Sequence, residues 1–172
     1  DDIVIICQPF KGCGLQHIGS DKAVEYYTTL PSRIREFTDR KIIFRYHPNQ
    51  KHESTWKKMH EKIKDVKNIE FRHGTRDKKG KSMMQDLKAA KCTITRTSAG
   101  CIQGLLHGVP CISEDDVNIA NPICERSLSN IETPATPDRQ QWFYDMCYAE
   151  WSVEEYENGL PWNHLRPYVY NK

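Results

Sequence analysis

Three short polar segments each follow an apolar run, and together they could bind a charged ligand. They are Gln8 with the glycine-containing loop behind it, the segment 45–48 (Arg-Tyr-His-Pro) and the segment 97–100 (Thr-Ser-Ala-Gly). Hydroxyl groups at the start of a helix, beside unpaired backbone N–H groups and the helix dipole, attract anions such as phosphate or pyrophosphate. The same residue types also make an ordinary helix cap without any ligand.

Other residues extend this candidate site. Pro48 restricts the backbone of His47 to an extended conformation, which can direct the imidazole toward a ligand. Gln103 lies five residues after Ser98, where its amide either reaches a ribose hydroxyl or stays solvated. His17, near Gly14 and Gly19, could be a catalytic base or a phosphate contact, and Asp21 is the other local candidate for a general base.

The elements that position these residues alternate along the chain. Apolar runs predict five short strands, at residues 2–8, 41–46, 68–72, 91–95 and 109–113. Helical patterns between the strands predict an α/β fold with a Rossmann-like parallel sheet and helices on both faces. Ligands of such sheets bind outside the carboxyl ends of the strands, which is where all three polar segments lie.

Helix signals are clear at several points. A helix is predicted from residue 20 or 21 to about residue 37, bent or broken at Pro31. Capping boxes at Ser82 and Ser152 predict two further helix starts. We expect residues 1–137 to form the α/β domain and residues 138–172 to form a helical tail packed on it.

Composition narrows the class of protein. The chain has 172 residues, with 25 basic and 23 acidic side chains and 38% apolar residues, which excludes an intrinsically disordered protein. Its sequence contains neither a membrane-spanning apolar stretch nor a secretory signal. Because the chain begins with Asp1 and enters a strand at once, we interpret it as trimmed or as the C-terminal part of a longer protein.

The seven cysteines and the missing motifs exclude several functions. No pair of cysteines has the CxxC spacing of a zinc site, so we predict free thiols in a reducing cytoplasm and no metal centre. The sequence lacks the P-loop of ATPases, the nucleophile elbow of α/β-hydrolases and the zinc deaminase signature. Its glycine loop does not contain GxGxxG in register, so dinucleotide binding is only weakly supported.

Two parts of the sequence carry a resemblance to known enzymes. Segments 45–48 and 97–110 together resemble the nucleotide-sugar-binding half of a GT-B glycosyltransferase, with the HP and Ser/Thr motifs of capsule-polysaccharide, Kdo and sialyl transferases. Segments 128–142 and 149–165 are similar to the C-terminal region of phage and prophage glycosyltransferases, some of which modify hydroxymethylated bases in phage DNA. One departure is Gln103, because many GT-B enzymes place Glu there.

The resemblance implies roles for the candidate residues. Thr97, Ser98 and the backbone of Ala99 and Gly100 would contact the donor phosphates, as a GT-B site does without a metal. Arg45 and His47 would approach the donor phosphate or sugar, and Gln103 would take the ribose. Gln8 and Gly14 would line the crevice near the acceptor.

The same resemblance implies ligands and partners. The donor would be a UDP-sugar, with a CMP-sugar as the alternative, and the acceptor hydroxyl would belong to a modified pyrimidine in DNA. The basic segment 76–81 would then contact DNA phosphates, and Trp151 or Trp162 would either stack on bases or pack the tail helices onto the sheet. A phage-encoded enzyme would work in the host cytoplasm.

Two other functions remain open from sequence. A GT-B enzyme needs two Rossmann-like domains, so the acceptor half would lie in a missing N-terminal domain or in a partner chain. Without that half, the chain would be a non-catalytic module that binds a nucleotide or nucleotide sugar. The third possibility is a structural remnant whose sheet mediates protein contacts.

Overall fold

The computed structural model describes residues 1–10, 12–48, 53–73 and 82–170. The chain divides into two compact units, residues 1–137 and residues 138–172. The basic segment 76–81 lies outside the described residues, so its predicted contact with DNA stays a prediction.

A parallel sheet of five strands forms the centre of the first unit, as the sequence predicts. The strands are β1 (Asp2–Ile6), β2 (Ile42–Tyr46), β3 (Ile69–His73), β4 (Ala90–Ile94) and β5 (Cys111–Ile112). Their spatial order is β3-β2-β1-β4-β5. The strands β2 and β3 therefore lie on one side of β1, and the chain then crosses to the other side of β1, where β4 and β5 lie. In open α/β sheets such a reversal of strand order, here between β1 and β4, opens a crevice at the carboxyl ends of the two strands.

Helices cover both faces of the sheet, which confirms the predicted α/β class. They are α1 (Ser20–Arg35), α2 (Glu53–Ile63), α3 (Met83–Lys88) and α4 (Gly100–Leu106). Because side chains alternate along a strand, Ile3 and Ile5 of β1 enter one apolar cluster with side chains of α1 and α2. Val4 and Ile6 enter a second cluster, which contains Leu87 of α3.

The prediction of a break in α1 at Pro31 is wrong, because the helix continues to Arg35. Proline inside a helix removes one backbone hydrogen bond and costs about 3 kcal/mol. Tyr27, Leu30 and Ile34 are fully buried on the same helix, so core packing on both sides of Pro31 offsets that cost.

The second unit is helical, with α5 (Gln140–Ala149), α6 (Val153–Glu157) and α7 (Leu160–Tyr170). The capping box at Ser152 begins α6 as predicted, and the one at Ser82 begins α3. The helix α7 was not predicted from the sequence, and it contains two prolines, Pro161 and Pro167. None of the helices in the described ranges combines the length and apolar character that crossing a membrane requires.

Candidate functional site

A cavity of about 350 Å³ lies at the carboxyl ends of β1, β2 and β4. Its volume falls in the range of about 300–1,000 Å³ that is usual for small-molecule sites. Its walls come from the ends of β1 and β2, from α3 and from the turn that enters α4: Ile6, Cys7, Gln8, Pro9, Arg45, Tyr46, His47, Pro48, Met83, Ser98, Ala99 and Gly100. The structure therefore brings together six of the predicted site residues, namely Gln8, Arg45, His47, Ser98, Ala99 and Gly100.

Gln8 joins the end of β1 to the turn before α4. Its side-chain Nε2 donates to Thr97 Oγ1 over 2.8 Å, and the Thr97 backbone N–H donates to Gln8 Oε1 over 2.9 Å. The Thr97 hydroxyl in turn donates to the Gly14 carbonyl over 2.6 Å. The side chains of Gln8 and Thr97 thus fix one wall of the cavity, and the Thr97 hydroxyl already has partners within the chain.

Gly14 allows this close approach. A Cβ atom at Gly14 would lie 2.9 Å from Gln8 Nε2 and 3.0 Å from Thr97 Oγ1. Neither neighbour can withdraw without breaking the bonds that hold it, so a side chain at position 14 is excluded. Gly14 therefore serves the geometry of the wall and does not itself line the cavity.

A buried charge network lies behind the cavity. Arg45 is 2% exposed, and its guanidinium shares the buried carboxylate of Asp86 with Arg72. Arg72 Nε also donates to Glu70 over 2.9 Å, and Glu70 pairs with Lys41. The hydrogen bonds from Arg72 and Lys41 lower the pKa of Glu70 to about 2. Arg45 is the member of this network that lines the cavity, so a cationic side chain belongs to the cavity wall.

The turn that enters α4 supplies polar groups to the opposite wall. The Ser98 N–H donates to Thr95 Oγ1 and the Gly100 N–H donates to Ser98 Oγ, each over 3.2 Å. Such distances lie at the long end of the range for hydrogen bonds to oxygen. The Gly100 N–H, one of the backbone donors expected to hold a phosphate, is therefore engaged within the chain, and Ser98 is a hydroxyl-bearing residue of this turn that lines the cavity.

His47 lines the cavity at the end of β2. Burial of its imidazole lowers the pKa of His47 below the ordinary value of 6.5, so the neutral form predominates at neutral pH. A neutral imidazole can donate one hydrogen bond and accept another. The side chain can therefore contact a sugar hydroxyl or a phosphate oxygen without carrying charge.

His17 belongs to a second cluster at the same edge of the sheet. Its Nε2 lies 3.0 Å from Oδ2 of Asp115, and Arg96 Nε lies 2.7 Å from the same carboxylate oxygen. Arg96 also stacks over the ring of Tyr26, at 5.1 Å from the ring centroid. Burial raises the pKa of Asp115, but the hydrogen bonds from His17 and Val117 and the charge of Arg96 outweigh it and lower that pKa.

Asp115 and Arg96 are members of the His17 cluster that were not predicted from the sequence. Asp115 is 7% exposed, whereas its neighbours Glu114 and Asp116 are exposed. Its place directly after the fifth predicted strand was the available signal, because the carboxyl end of that strand meets the same edge of the sheet. A buried carboxylate that holds a half-exposed imidazole is the arrangement of an oriented general base.

Among the described residues, two further predicted site residues lie away from the cavity. Asp21 is exposed in the first turn of α1 and lines a separate groove with Thr55 and Met59 of α2. The side chain of Gln103 is exposed, and its backbone carbonyl accepts a hydrogen bond from His107. The geometry therefore favours His17 over Asp21 as the base.

Comparisons with known proteins leave the site to be interpreted from its own chemistry. No family model, curated protein or solved structure gives a significant match. Within the described ranges, no three His, Cys, Asp or Glu side chains are grouped so that they could hold a metal ion.

Proposed function

We propose that this chain is the donor-binding part of a glycosyltransferase, which binds a nucleotide sugar in the cavity between β1, β2 and β4. The observation that carries the proposal is a small-molecule cavity at the reversal point of the sheet, with Arg45, His47 and Ser98 in its lining. A cationic side chain in a partly enclosed site favours an anionic ligand, because such a site screens charge less than water does. A nucleotide diphosphate has the matching negative charge.

In this proposal, different residues of the cavity bind different parts of the nucleotide sugar. Arg45 attracts the diphosphate, and Ser98 and the Ala99–Gly100 backbone contact its oxygens. The Gly100 N–H would exchange its 3.2 Å bond to Ser98 for a shorter bond to a charged oxygen. His47, neutral at neutral pH, contacts the sugar or the adjacent phosphate.

His17 acts as general base in this proposal. Transfer to a hydroxyl requires removal of the acceptor proton as the new glycosidic bond forms and the bond to the nucleotide diphosphate breaks. Asp115 holds one ring nitrogen of His17, so the other nitrogen is left to accept the proton. The acceptor that the sequence resemblance suggests is a hydroxymethylated pyrimidine in phage DNA.

A nucleotide-sugar-binding module without catalysis is the second candidate. The observation that favours it is the separation of the two clusters, because His17 and Asp21 both lie outside the residues that line the cavity. Both candidates require the same ligand, and they differ in whether the bond to the sugar is broken.

The first experiment is a thermal-shift and calorimetric titration with UDP, UDP-glucose, UDP-N-acetylglucosamine and CMP-sialic acid. Stabilisation follows the ratio of ligand concentration to dissociation constant, so specific binding gives a saturable rise in melting temperature. Ser98→Ala and His47→Ala should weaken binding, whereas Ser32→Ala and His107→Ala, at exposed positions, should not. The proposal is overturned if no nucleotide at millimolar concentration shifts the melting temperature.

The second experiment separates the two candidates. The protein is incubated with the donor it binds and with DNA that contains 5-hydroxymethylcytosine, and products are resolved by mass spectrometry. Sugar on the DNA, or free nucleotide released by slow hydrolysis, supports the enzyme. Saturable binding with the donor intact supports the binding module.

A further inference from the structure

Three cysteines from distant parts of the sequence lie together beside the edge strand β5. Cys101 is in α4, Cys111 is in β5, and Cys124 follows a short 3-10 helix. The Cys101 and Cys124 thiols both raise the pKa of the Cys111 thiol, so the three groups are neighbours. Cys101 and Cys111 are buried, at 0% and 1% exposure, whereas Cys124 is partly exposed.

Backbone pairing places Cys111 beside Cys124. The Glu125 N–H donates to the Cys111 carbonyl over 2.9 Å, and the Ser113 N–H donates to the Glu125 carbonyl over 2.9 Å. These bonds form a parallel bridge between Ile112 and Glu125. Because side chains alternate along extended backbone, Cys111 and Cys124 project from the same face, one position before the bridge.

We propose that Cys124 and Cys111 form a reversible thiol–disulfide pair, in which Cys124 is the reactive thiol and Cys111 the resolving thiol. The partial exposure of Cys124 admits a small oxidant, and the buried neighbour at the adjacent register position supplies the second sulfur. This site is independent of the proposed nucleotide-sugar cavity, and neither cysteine lines that cavity.

The electrostatics agree with that division of roles. The hydrogen bond from the Cys111 thiol lowers the pKa of Cys124; burial acts against it, and the charge of Arg126 acts with it. Hydrogen bonds to Cys101 and Cys124, together with burial, raise the pKa of Cys111. The thiolate is the nucleophile in thiol–disulfide exchange, so Cys124 attacks first.

The oxidant is a small-molecule disulfide such as oxidised glutathione. The Cys124 thiolate attacks one of its sulfurs, the sulfur–sulfur bond breaks, and one glutathione thiolate leaves. Cys111 then gives its proton to that thiolate and attacks the Cys124 sulfur, which releases the second glutathione. Two protein thiols are oxidised to one disulfide, and the small-molecule disulfide is reduced to two thiols.

The disulfide would close a ring of chain that contains residues bonded to His17 and Arg96 in the second cluster. Residues 112–123 include Asp115, which holds His17 and Arg96, and Asn118, whose Nδ2 donates to the Arg96 carbonyl over 2.9 Å. A covalent link between positions 111 and 124 restricts the unfolded chain, so oxidation should raise the melting temperature measured without reductant.

The test uses the full chain and oxidised glutathione at neutral pH, followed by alkylation of free thiols, proteolysis and mass spectrometry. The expected product is a peptide pair linked through Cys111 and Cys124, which dithiothreitol reverses. Cys124→Ser should abolish the link, whereas Cys147→Ser should retain it. Cys147 is the matched control because it is an exposed thiol in the second unit.

Several outcomes would overturn the proposal. These are a Cys124 that stays reduced while Cys147 is modified, a stable glutathione adduct on Cys124, and a link between Cys101 and Cys111. Circular dichroism checks that Cys124→Ser is folded. If that variant does not fold, the pairing in the wild-type protein decides the question alone, because the linked peptides identify both sulfurs.

Discussion

Gln8 and Thr97 are joined by two hydrogen bonds although 89 residues separate them in the chain. The Gln8 amide gives its N–H to the Thr97 hydroxyl and receives the Thr97 backbone N–H, so it behaves like a peptide group inserted between two loops. Since the loops follow β1 and β4, the amide links the two strands where the sheet order reverses. This link holds one wall of the cavity in place before any ligand binds.

Replacing Gln8 by alanine should destabilise the fold. The change leaves the Thr97 N–H and hydroxyl without their partner in a part-buried position, so we expect a loss of about 1–3 kcal/mol in the free energy of unfolding. Urea denaturation measures the loss. Gln103→Ala is the control, because its exposed side chain should change stability by less than about 0.5 kcal/mol. Equal losses in the two variants would show that the link contributes nothing specific.

Replacing Asp86 by asparagine should destabilise the fold more severely. Its carboxylate is the shared partner of Arg45 and Arg72, which are 2% and 3% exposed, and the variant leaves two buried guanidinium groups without it. Removing one partner from a buried ion pair typically costs about 3–5 kcal/mol.

The control for Asp86 is Asp116→Asn, which breaks an ion pair between Arg126 and an 89% exposed carboxylate. Denaturant unfolding of both variants is compared with the wild type. A mild effect at Asp86 would contradict a buried charge network that depends on this carboxylate.

The stability of the protein should depend on Glu70 in acid. The folded-state pKa of Glu70 is about 2, below its ordinary value of 4.5, so the contribution is complete above pH 4.5 and is lost as the pH falls from 4.5 toward 2. Glu70→Gln should remove that part of the acid dependence and lower stability at neutral pH. Melting temperatures of the wild type and of Glu70→Gln at several pH values measure this acid dependence. Parallel curves of melting temperature against pH for the two proteins would contradict its assignment to Glu70.

How much of this structure the sequence predicts differs between strands and helices. Apolar runs predict all five strands, most clearly β1, whose residues 3–6 are apolar and buried, whereas β3 alternates apolar and charged or polar side chains. β5 is shorter than predicted, two residues in place of 109–113, because only Cys111 and Ile112 pair with β4. The helix α7 is not predicted because it contains Pro161 and Pro167, and proline is a typical helix breaker. Pro161 lies in the first turn of α7, however, where a proline costs the helix no hydrogen bond.

In the candidate site, some contacts follow from the predicted strands and others do not. The rule that ligands bind at strand ends brings Gln8, His47 and Ser98 to one cavity, as predicted. The pairing of His17 with Asp115 spans 98 residues and depends on the path of two loops. The place of Asp115 after the fifth predicted strand indicates the edge of the sheet where it lies, but local spacing does not determine its contact with His17.

Donor affinity should depend on the protonation of His47, if the proposed function is right. Burial places the pKa of His47 below 6.5, so lowering the pH from neutral increases the protonated fraction and should tighten binding of the anion. UDP-glucose is the suitable probe because the charge of its diphosphate is constant over this range. Calorimetry should show the trend in the wild type and in His107→Gln, and a flat profile in His47→Gln. The same slope in all three proteins would place the titrating group elsewhere.

Turnover should depend on Asp115 more than donor binding does. Asp115→Asn removes the charge that holds His17 and Arg96, so we expect the rate of sugar transfer to fall by about 10²-fold or more with little change in donor affinity. Glu114→Gln is the control, because the neighbouring exposed carboxylate pairs with Arg33 on the protein surface. An unchanged rate in Asp115→Asn would exclude His17 as the base that this carboxylate orients.

The central position of β1 has a consequence for synthesis on the ribosome. β1 leaves the ribosome before the two strands that flank it and can pair with β2 as soon as Tyr46 has emerged, but its other edge pairs with β4, which begins at Ala90. Until then the nascent chain presents one unpaired apolar strand edge, which is a template for association with other chains. Fragments that end before residue 90 should therefore aggregate, and fragments that include β4 should not.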